Sequence, residues 1–348
     1  MPALSTMRAA VLASREHGVG HLVCEDAPLP TPDTGAALVR TLVASICGSD
    51  FHIVDLAYYA RGRPSVLPGP PGFPGHESVV EVADAPGNDL EPGQLALAVP
   101  PAHLSFAFAE YQAVPIASLI PLPDTAAWDT SVLAQQLGTV SYAFDTFWTG
   151  PLEGLTVAIV GAGSAGILFT LEARRRGAAT VIVTDPSAAR LAVAARAGAD
   201  RTVRASGTCE RTREELAEVV TDVTDGHGAP LVIDASGRDD GRSCAVAALG
   251  RDGTLGVFGL PMRDGSSPFD LAALFERRGR LITAHSAQLE PGLRSFRSAL
   301  DRIAAGELDP LELPMDRFPL EQIDEAFITA RRREGVVKVL IDVGTPGR

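Results

Sequence analysis

Apolar and polar positions along the chain fall into two textures. Over residues 1–149, short apolar runs stand between prolines and glycines: residues 8–12 (RAAVL), 37–43 (ALVRTLV), 78–82 (SVVEV) and 95–99 (LALAV). Such runs bounded by turn formers predict strands, and their uneven spacing predicts an irregular, all-β region. Residues 61–75 carry too much proline and glycine for a helix and predict a loop over a pocket.

From residue 150 the pattern becomes a strict alternation of strand and helix. Strands are predicted at 156–160, 180–184, 231–235, 254–258 and 280–283. Helices are predicted at 164–176 and 187–197, closed by Gly177 and Gly198. Leu216, Val219, Val220 and Val223 share one face of a further helix. Apolar strands alternating with helices mean a parallel sheet covered on both faces. After residue 286 come a helix at 293–305, a segment around Phe318, a short helix at 323–332 and a last strand at 336–341. The fold class is α/β with two domains, one over 150–285 and one over 1–149 completed by 286–348. The returning tail places the expected active site in the cleft between them.

A length of 348 residues suits two domains of ordinary size. The formal charge of −13 argues against nucleic acid as a partner, because backbone phosphates are held by clustered Lys and Arg. No apolar run is long enough to cross a membrane and residues 1–13 lack a signal-peptide layout, so the expected location is cytoplasmic, with no membrane partner. Cys24, Cys47, Cys209 and Cys244 form no Cys-x-x-Cys pair, which argues against a disulfide framework and a four-cysteine metal lobe. Only Cys47 sits among chemically loaded neighbours.

Those neighbours are Cys47-Gly48-Ser49-Asp50-Phe51-His52, with Gly75-His76-Glu77 further on. The two runs offer a thiolate, an imidazole and a carboxylate to one zinc, the side chains that zinc takes. Ser49 and His52 stand beside them to move a proton. A third run, Gly161-Ala162-Gly163-Ser164-Ala165-Gly166, follows a predicted strand and opens a helix, and Asp185 ends the next strand. That context makes it a dinucleotide cradle. Gly161 permits the tight turn, Gly163 lets backbone approach a pyrophosphate, and Gly166 lets helix pack on strand. The free N–H groups at Ser164 and Ala165 face the anion. Asp185 is expected on the adenosine ribose hydroxyls, favouring NAD over NADP, although Arg190 could take a 2′-phosphate.

Taken together with Phe108-Ala109-Glu110-Tyr111, Val114-Pro115 and the closing Gly335-Val336-Val337-Lys338, these runs give the chain an end-to-end resemblance. It resembles the zinc-dependent medium-chain alcohol dehydrogenases, most of all their polyol, sugar and threonine dehydrogenase branch. The resemblance implies a GroES-like irregular β catalytic domain and a Rossmann, doubly wound parallel-sheet domain. It implies Cys47 and His76 as zinc ligands, Glu77 as a carboxylate that binds zinc or exchanges with water, and Gln135 at the position of a fourth ligand. Gln135 stands in Gln135-Gln136-Leu137-Gly138 where that branch has Glu-Pro-Leu-Gly. A neutral amide is a poorer ligand than a carboxylate, and a water-mediated amide is the alternative.

The resemblance further implies a proton path through Ser49 and the nicotinamide ribose to His52, which passes it to solvent. Asp50 would accept from the His76 imidazole. Thr139 and Phe258-Gly259 would border the nicotinamide, and Lys338, the sole lysine of the chain, would meet the pyrophosphate. Relatives with a second, structural zinc carry it in a four-cysteine lobe before the Phe-Ala-Glu-Tyr segment. Here only fourteen residues separate Gly93 from Phe108, none of them cysteine, so one catalytic zinc and no structural zinc is expected. A homodimer or homotetramer is implied.

The function expected is hydride transfer from a secondary alcohol (a polyol, sugar, cyclitol or amino alcohol) to NAD. Tyr58, Tyr59 and Arg61 are candidates to bind substrate hydroxyls or an anion, with segments of 128–147 shaping the pocket. One rival is a zinc-free NADPH quinone or enone reductase of the same fold, which would lack the Cys/His/Glu set. Another is a non-catalytic NAD-binding protein.

Overall fold

Two residues, His17 and Gly18, both at positive φ, turn β1 (Thr6–Glu16) back on β2 (Val19–Pro28). A two-residue loop of that kind matches the right-handed twist of the strands it joins. The computed structural model describes residues 5–55, 67–87, 89–262, 266–307, 313–332 and 335–347. The candidate substrate contacts Tyr58, Tyr59 and Arg61 lie outside the described residues.

The chain divides into two units: 1–138 with 286–332 and 338–348, and 139–285 with 333–337. The first break therefore falls at residue 138, inside a helix, where the sequence texture pointed to 149. Texture registers the change from irregular strands to strict alternation, and a helix shared by both units carries no such mark.

In the first unit β3 (Ala36–Ile46) runs straight into a short helix, α1 (Gly48–Val54). Then come β4 (Ser78–Asp84), β5 (Leu95–Ala98), β6 (Tyr111–Pro115) and β7 (Leu119–Pro121). Helix α2 (Leu133–Phe147) carries the chain into the second unit.

That unit holds β8 (Thr156–Val160), α3 (Ser164–Arg175), β9 (Thr180–Asp185), α4 (Ala188–Arg196), β10 (Arg201–Arg204) and α5 (Cys209–Val223). It continues through β11 (Ala229–Asp234), α6 (Asp239–Ala248), β12 (Leu249–Val257), α7 (Leu271–Glu276) and β13 (Arg280–Thr283). Its six strands are all parallel, in the order β10-β9-β8-β11-β12-β13. The order reverses between β8 and β11, and in such sheets ligands bind outside the carboxyl ends of the strands at that point. The helical face read at residues 216–223 packs as expected, with Leu216 and Val220 buried among Ile182, Val232 and Cys244.

Back in the first unit come α8 (Arg294–Ala304), β14 (Met315–Pro319), α9 (Ile323–Arg332) and β15 (Lys338–Asp342). Strand β15 lies antiparallel to β3, so the end of the chain completes the sheet β14-β15-β3-β4-β5-β7, with β6 also paired to β3. Val39, Val80, Val82, Ala98 and Val114 fill one side of it. Among the described residues no helix is long and apolar enough to cross a membrane.

Candidate metal centre

The central strand β3 delivers the first ligand. Ser45 is buried near its end, and Cys47 is the residue from which α1 starts. The Cys47 N–H donates to Asp50 Oδ2 at 2.8 Å, which closes the first turn. The other oxygen of the same carboxylate, Oδ1, lies 3.0 Å from His76 Nδ1. Asp50 is wholly buried, and one side chain thus fixes two of the three prospective ligands. Nδ1 also lies 3.4 Å from Pro74 O. Both neighbours are acceptors, so Nδ1 carries the hydrogen and Nε2 is the nitrogen offered to a metal. Ser49 Oγ lies 3.3 Å from that Nε2.

Glu77 follows His76 into β4 and is fully buried. Its Oε2 accepts from Ser45 Oγ and pairs with Lys338 Nζ at 2.5 Å. Lys338 Nζ also donates to Gln136 Oε1 at 3.2 Å, so the first turn of α2 lies against this cluster. Glu77 Oε1 is buried with no hydrogen-bond partner. An acceptor in that state costs free energy unless a cation or donor meets it.

The ligand atoms of Cys47, His76 and Glu77 all lie within 4.8 Å of one another. That is the scale of donors gathered round one ion with bonds of about 2.0–2.3 Å. Sulfur, an oriented imidazole nitrogen and a carboxylate oxygen lacking a partner make a donor set that fits zinc.

Burial and charge oppose each other throughout the cluster. For His76, burial disfavours the imidazolium, but Asp50 and the Cys47 sulfur reverse this and hold the pKa well above its ordinary value. Burial alone would raise Glu77, yet Lys338, His76 and Ser45 bring it below the usual carboxylate range. Lys338 is the mirror image: burial pulls it down, and Glu77 lifts it above a free lysine. The Asp50 carboxyl is raised by burial, with His76 working against the rise.

The other expected residues are placed as follows. Gln135 is buried in the first turn of α2, and half-buried Thr139 is on the same helix. His52 is 2% exposed, with Nδ1 donating to Gly48 O at 3.2 Å. Lys338, 2% exposed, has its ammonium engaged by Glu77 and Gln136 inside the first unit, where the sequence reading gave it to a pyrophosphate.

In the second unit the glycine turn follows β8. Gly161 has φ +102°, and a Cβ on Gly166 would stand 1.8 Å from Gly161 O, so no other residue fits at either position. Gly163 is the N-cap of α3 without a side-chain cap, leaving the N–H groups that open the helix at Ser164, Ala165 and Gly166 facing the turn. Asp185 ends β9 and accepts from the Ala162 and Ser187 N–H groups, each at 2.8 Å. Arg190 reaches Val336 O at 2.9 Å, and its Nη1 is 3.8 Å from where a Gly163 Cβ would be. The Phe258 and Gly259 N–H groups donate to Asp234 O just beyond β12.

Ser45 and Gln136 were not singled out from sequence. Ser45 is a lone polar residue in an apolar run and Gln136 is the second of two adjacent amides opening a helix, and that was the available signal.

Asp50→Asn tests the shared carboxylate. Cys47 N–H and His76 Nδ1–H are both donors, and an amide offers a single acceptor oxygen. Zinc affinity is expected to fall about 10–100-fold, as when a group orienting a metal ligand is lost. Competition with a chromogenic chelator measures it, and an unchanged affinity would remove Asp50 from the account.

Comparison with known proteins adds the following. A family model described as zinc-binding dehydrogenase matches residues 165–305. An L-threonine 3-dehydrogenase of Pyrococcus furiosus is 30% identical over 287 residues, covering 73% of this chain and 77% of that protein. A sorbitol dehydrogenase of Bacillus subtilis is 25% identical, covering 96% of this chain and 97% of its own length. The alcohol dehydrogenase from Thermus sp. ATN1 superposes with a TM-score of 0.79 at 26% identity, covering 97% of this chain and all of that one.

Proposed function

The chain belongs to the zinc-dependent medium-chain dehydrogenases, and from that premise we propose that it oxidises a secondary alcohol of the polyol, sugar, cyclitol or amino-alcohol kind with NAD. It is an oxidoreductase acting on small molecules, with zinc and a nicotinamide cofactor. The choice of NAD over NADP and one zinc per chain are part of the proposal. The observation that carries it is the convergence of Cys47, His76 and Glu77, with Glu77 Oε1 buried and unmatched. A zinc-free reductase would have no use for that arrangement.

When bound, zinc supplies a Lewis acid that lowers the pKa of the alcohol, and NAD supplies the hydride acceptor. Cys47, His76 and Glu77 hold the metal, and Gln135 is proposed as the fourth protein group beside it. Asp50 keeps His76 in the tautomer a metal requires. Ser49 is placed to take the hydroxyl proton, and His52, with Nδ1 bound to Gly48 O, keeps Nε2 as an acceptor for it. A hydroxyl of the cofactor ribose is proposed to link the two. The amides of the α3 N-terminus and Arg190 hold the pyrophosphate region, while Thr139, Phe258 and Gly259 border the nicotinamide. A homodimer or homotetramer belongs to the same proposal, supported by Leu271 and Phe275 of α7, the latter 82% exposed.

A screen of secondary alcohols and sugars with NAD, following absorbance of the reduced cofactor, tests the reading, together with metal analysis. Turnover that survives complete removal of zinc would contradict it, and two zincs per chain would contradict the single-site count.

Cofactor choice is tested at Asp185. Its carboxylate accepts two amides and keeps further lone pairs for ribose hydroxyls, while its charge repels a 2′-phosphate. Asp185→Gly is expected to move the NAD:NADP ratio of kcat/KM toward NADP by roughly 10-fold or more, the equivalent of about 1.4 kcal/mol. An unchanged ratio would mean that the ribose contact lies elsewhere.

A further inference from the structure

Two sulfurs that the reaction does not use meet in the second unit. Cys209 opens α5 and is half-buried; Cys244 lies on α6 and is 4% exposed. The Cys209 thiol donates to Asp240 O at 3.8 Å. Asp240 stands one helical turn before Cys244, and helical side chains lean back over the preceding turn. The geometry thus brings Cys209 Sγ toward the spot that Cys244 Sγ covers. The helices bearing them are packed together, with Leu216 and Val220 of α5 and Cys244, Ala245 and Ala248 of α6 in one buried cluster.

We propose that Cys209 and Cys244 are a redox-modification site, a dithiol that hydrogen peroxide converts to a reversible disulfide joining α5 to α6. The roles of the two sulfurs differ. Burial and the neighbouring Cys209 push the Cys244 thiol up to about 12, so it remains protonated. Peroxide reaches the more accessible Cys209 first, which makes it the attacking sulfur. It attacks one peroxide oxygen, the O–O bond breaks, and Cys209 becomes a sulfenic acid with release of water. Cys244 sulfur then attacks the sulfenic sulfur, the S–O bond breaks, and the thiol proton leaves with the departing oxygen as a second water. Two electrons pass from the sulfur pair to one peroxide, giving one disulfide and two waters.

The link would clamp more than two helices. Asp240, whose carbonyl binds Cys209, lines a cavity of about 380 Å³ together with Gly237, Arg238, Asp239 and Met262. This cavity lies just beyond the carboxyl end of β11, at the reversal point of the parallel sheet.

The test uses the full chain treated with hydrogen peroxide, then denatured, alkylated and cut at arginine. Cys209 and Cys244 fall in separate peptides, residues 205–211 and 243–251. The expected product is these two peptides linked, two hydrogens lighter than their sum, with an unfolding midpoint raised by several degrees and restored by dithiothreitol. In Cys244→Ser the oxidation at Cys209 should instead run on to sulfinic acid. The proposal is overturned if treated wild type yields no linked peptide, whether both thiols stay alkylatable or Cys209 over-oxidises alone. Should Cys244→Ser not fold, the wild-type peptide map decides by itself.

Discussion

Cys47→Ser is expected to abolish turnover while leaving NAD affinity largely intact. The thiolate is the one soft, anionic donor in the group formed with His76 and Glu77. A serine hydroxyl keeps the size but stays protonated and neutral, so the zinc loses charge neutralisation and its strongest bond. Lewis-acid activation is worth several kcal/mol, so kcat/KM should fall on the order of 10³-fold or more, in parallel with zinc content. The dinucleotide residues from Gly161 to Arg190 belong to the other folding unit and should still bind cofactor. Fluorescence titration with NADH and metal analysis separate the two effects. A comparable loss of both affinities would count against independent metal and dinucleotide sites.

Lys338→Met should be the most damaging change that leaves every prospective zinc ligand in place. The Lys338 and Glu77 side chains are each only 1% exposed, and they pair at 2.5 Å. Removing one partner of a buried pair costs roughly 3–5 kcal/mol, chiefly because the other charge is left uncompensated. For a chain of 348 residues that lowers the unfolding midpoint by about five degrees. The double variant Glu77→Gln with Lys338→Met removes both charges and should regain a good part of the loss, since neutral replacements of buried pairs are often tolerated. If the single variant proves no worse than the double, the pair is not what stabilises this part of the core.

The Lys338 case shows where the sequence ceased to inform. Residues 336–341 read as a strand, and β15 covers Lys338–Asp342, because an apolar run between turn residues carries its own signal. The partner of Lys338 is a matter of which strand β15 joins. Its antiparallel register on β3, with Val339 opposite Ile46, brings position 338 to the end of β3 where Cys47 and Glu77 lie, and no local pattern encodes that pairing. The candidate metal cluster was legible for the opposite reason. Cys47 and His76 stand out as reactive residues among glycines, so their chemistry shows without the fold.

Elements were visible in proportion to their periodicity. Strands β8, β9 and β11 are mostly apolar and read from sequence within a residue or two. Strand β10, Arg-Thr-Val-Arg, has one buried residue at the edge of the sheet and gave no signal. Helix α6 begins with Asp239 and Asp240 and passes through Gly241 and Arg242, a polar start that masks its buried face. The burial of His52 was likewise invisible, because the texture of α1 says nothing about what covers it.

A single lysine sealed in the interior has a practical corollary for labelling chemistry. Amine-selective acylating reagents should find only the α-amino group on the intact fold, since Lys338 is the sole side-chain amine of the chain. Acylation at position 338 would then report only those molecules whose core has opened, making that ε-amine a built-in gauge of unfolding.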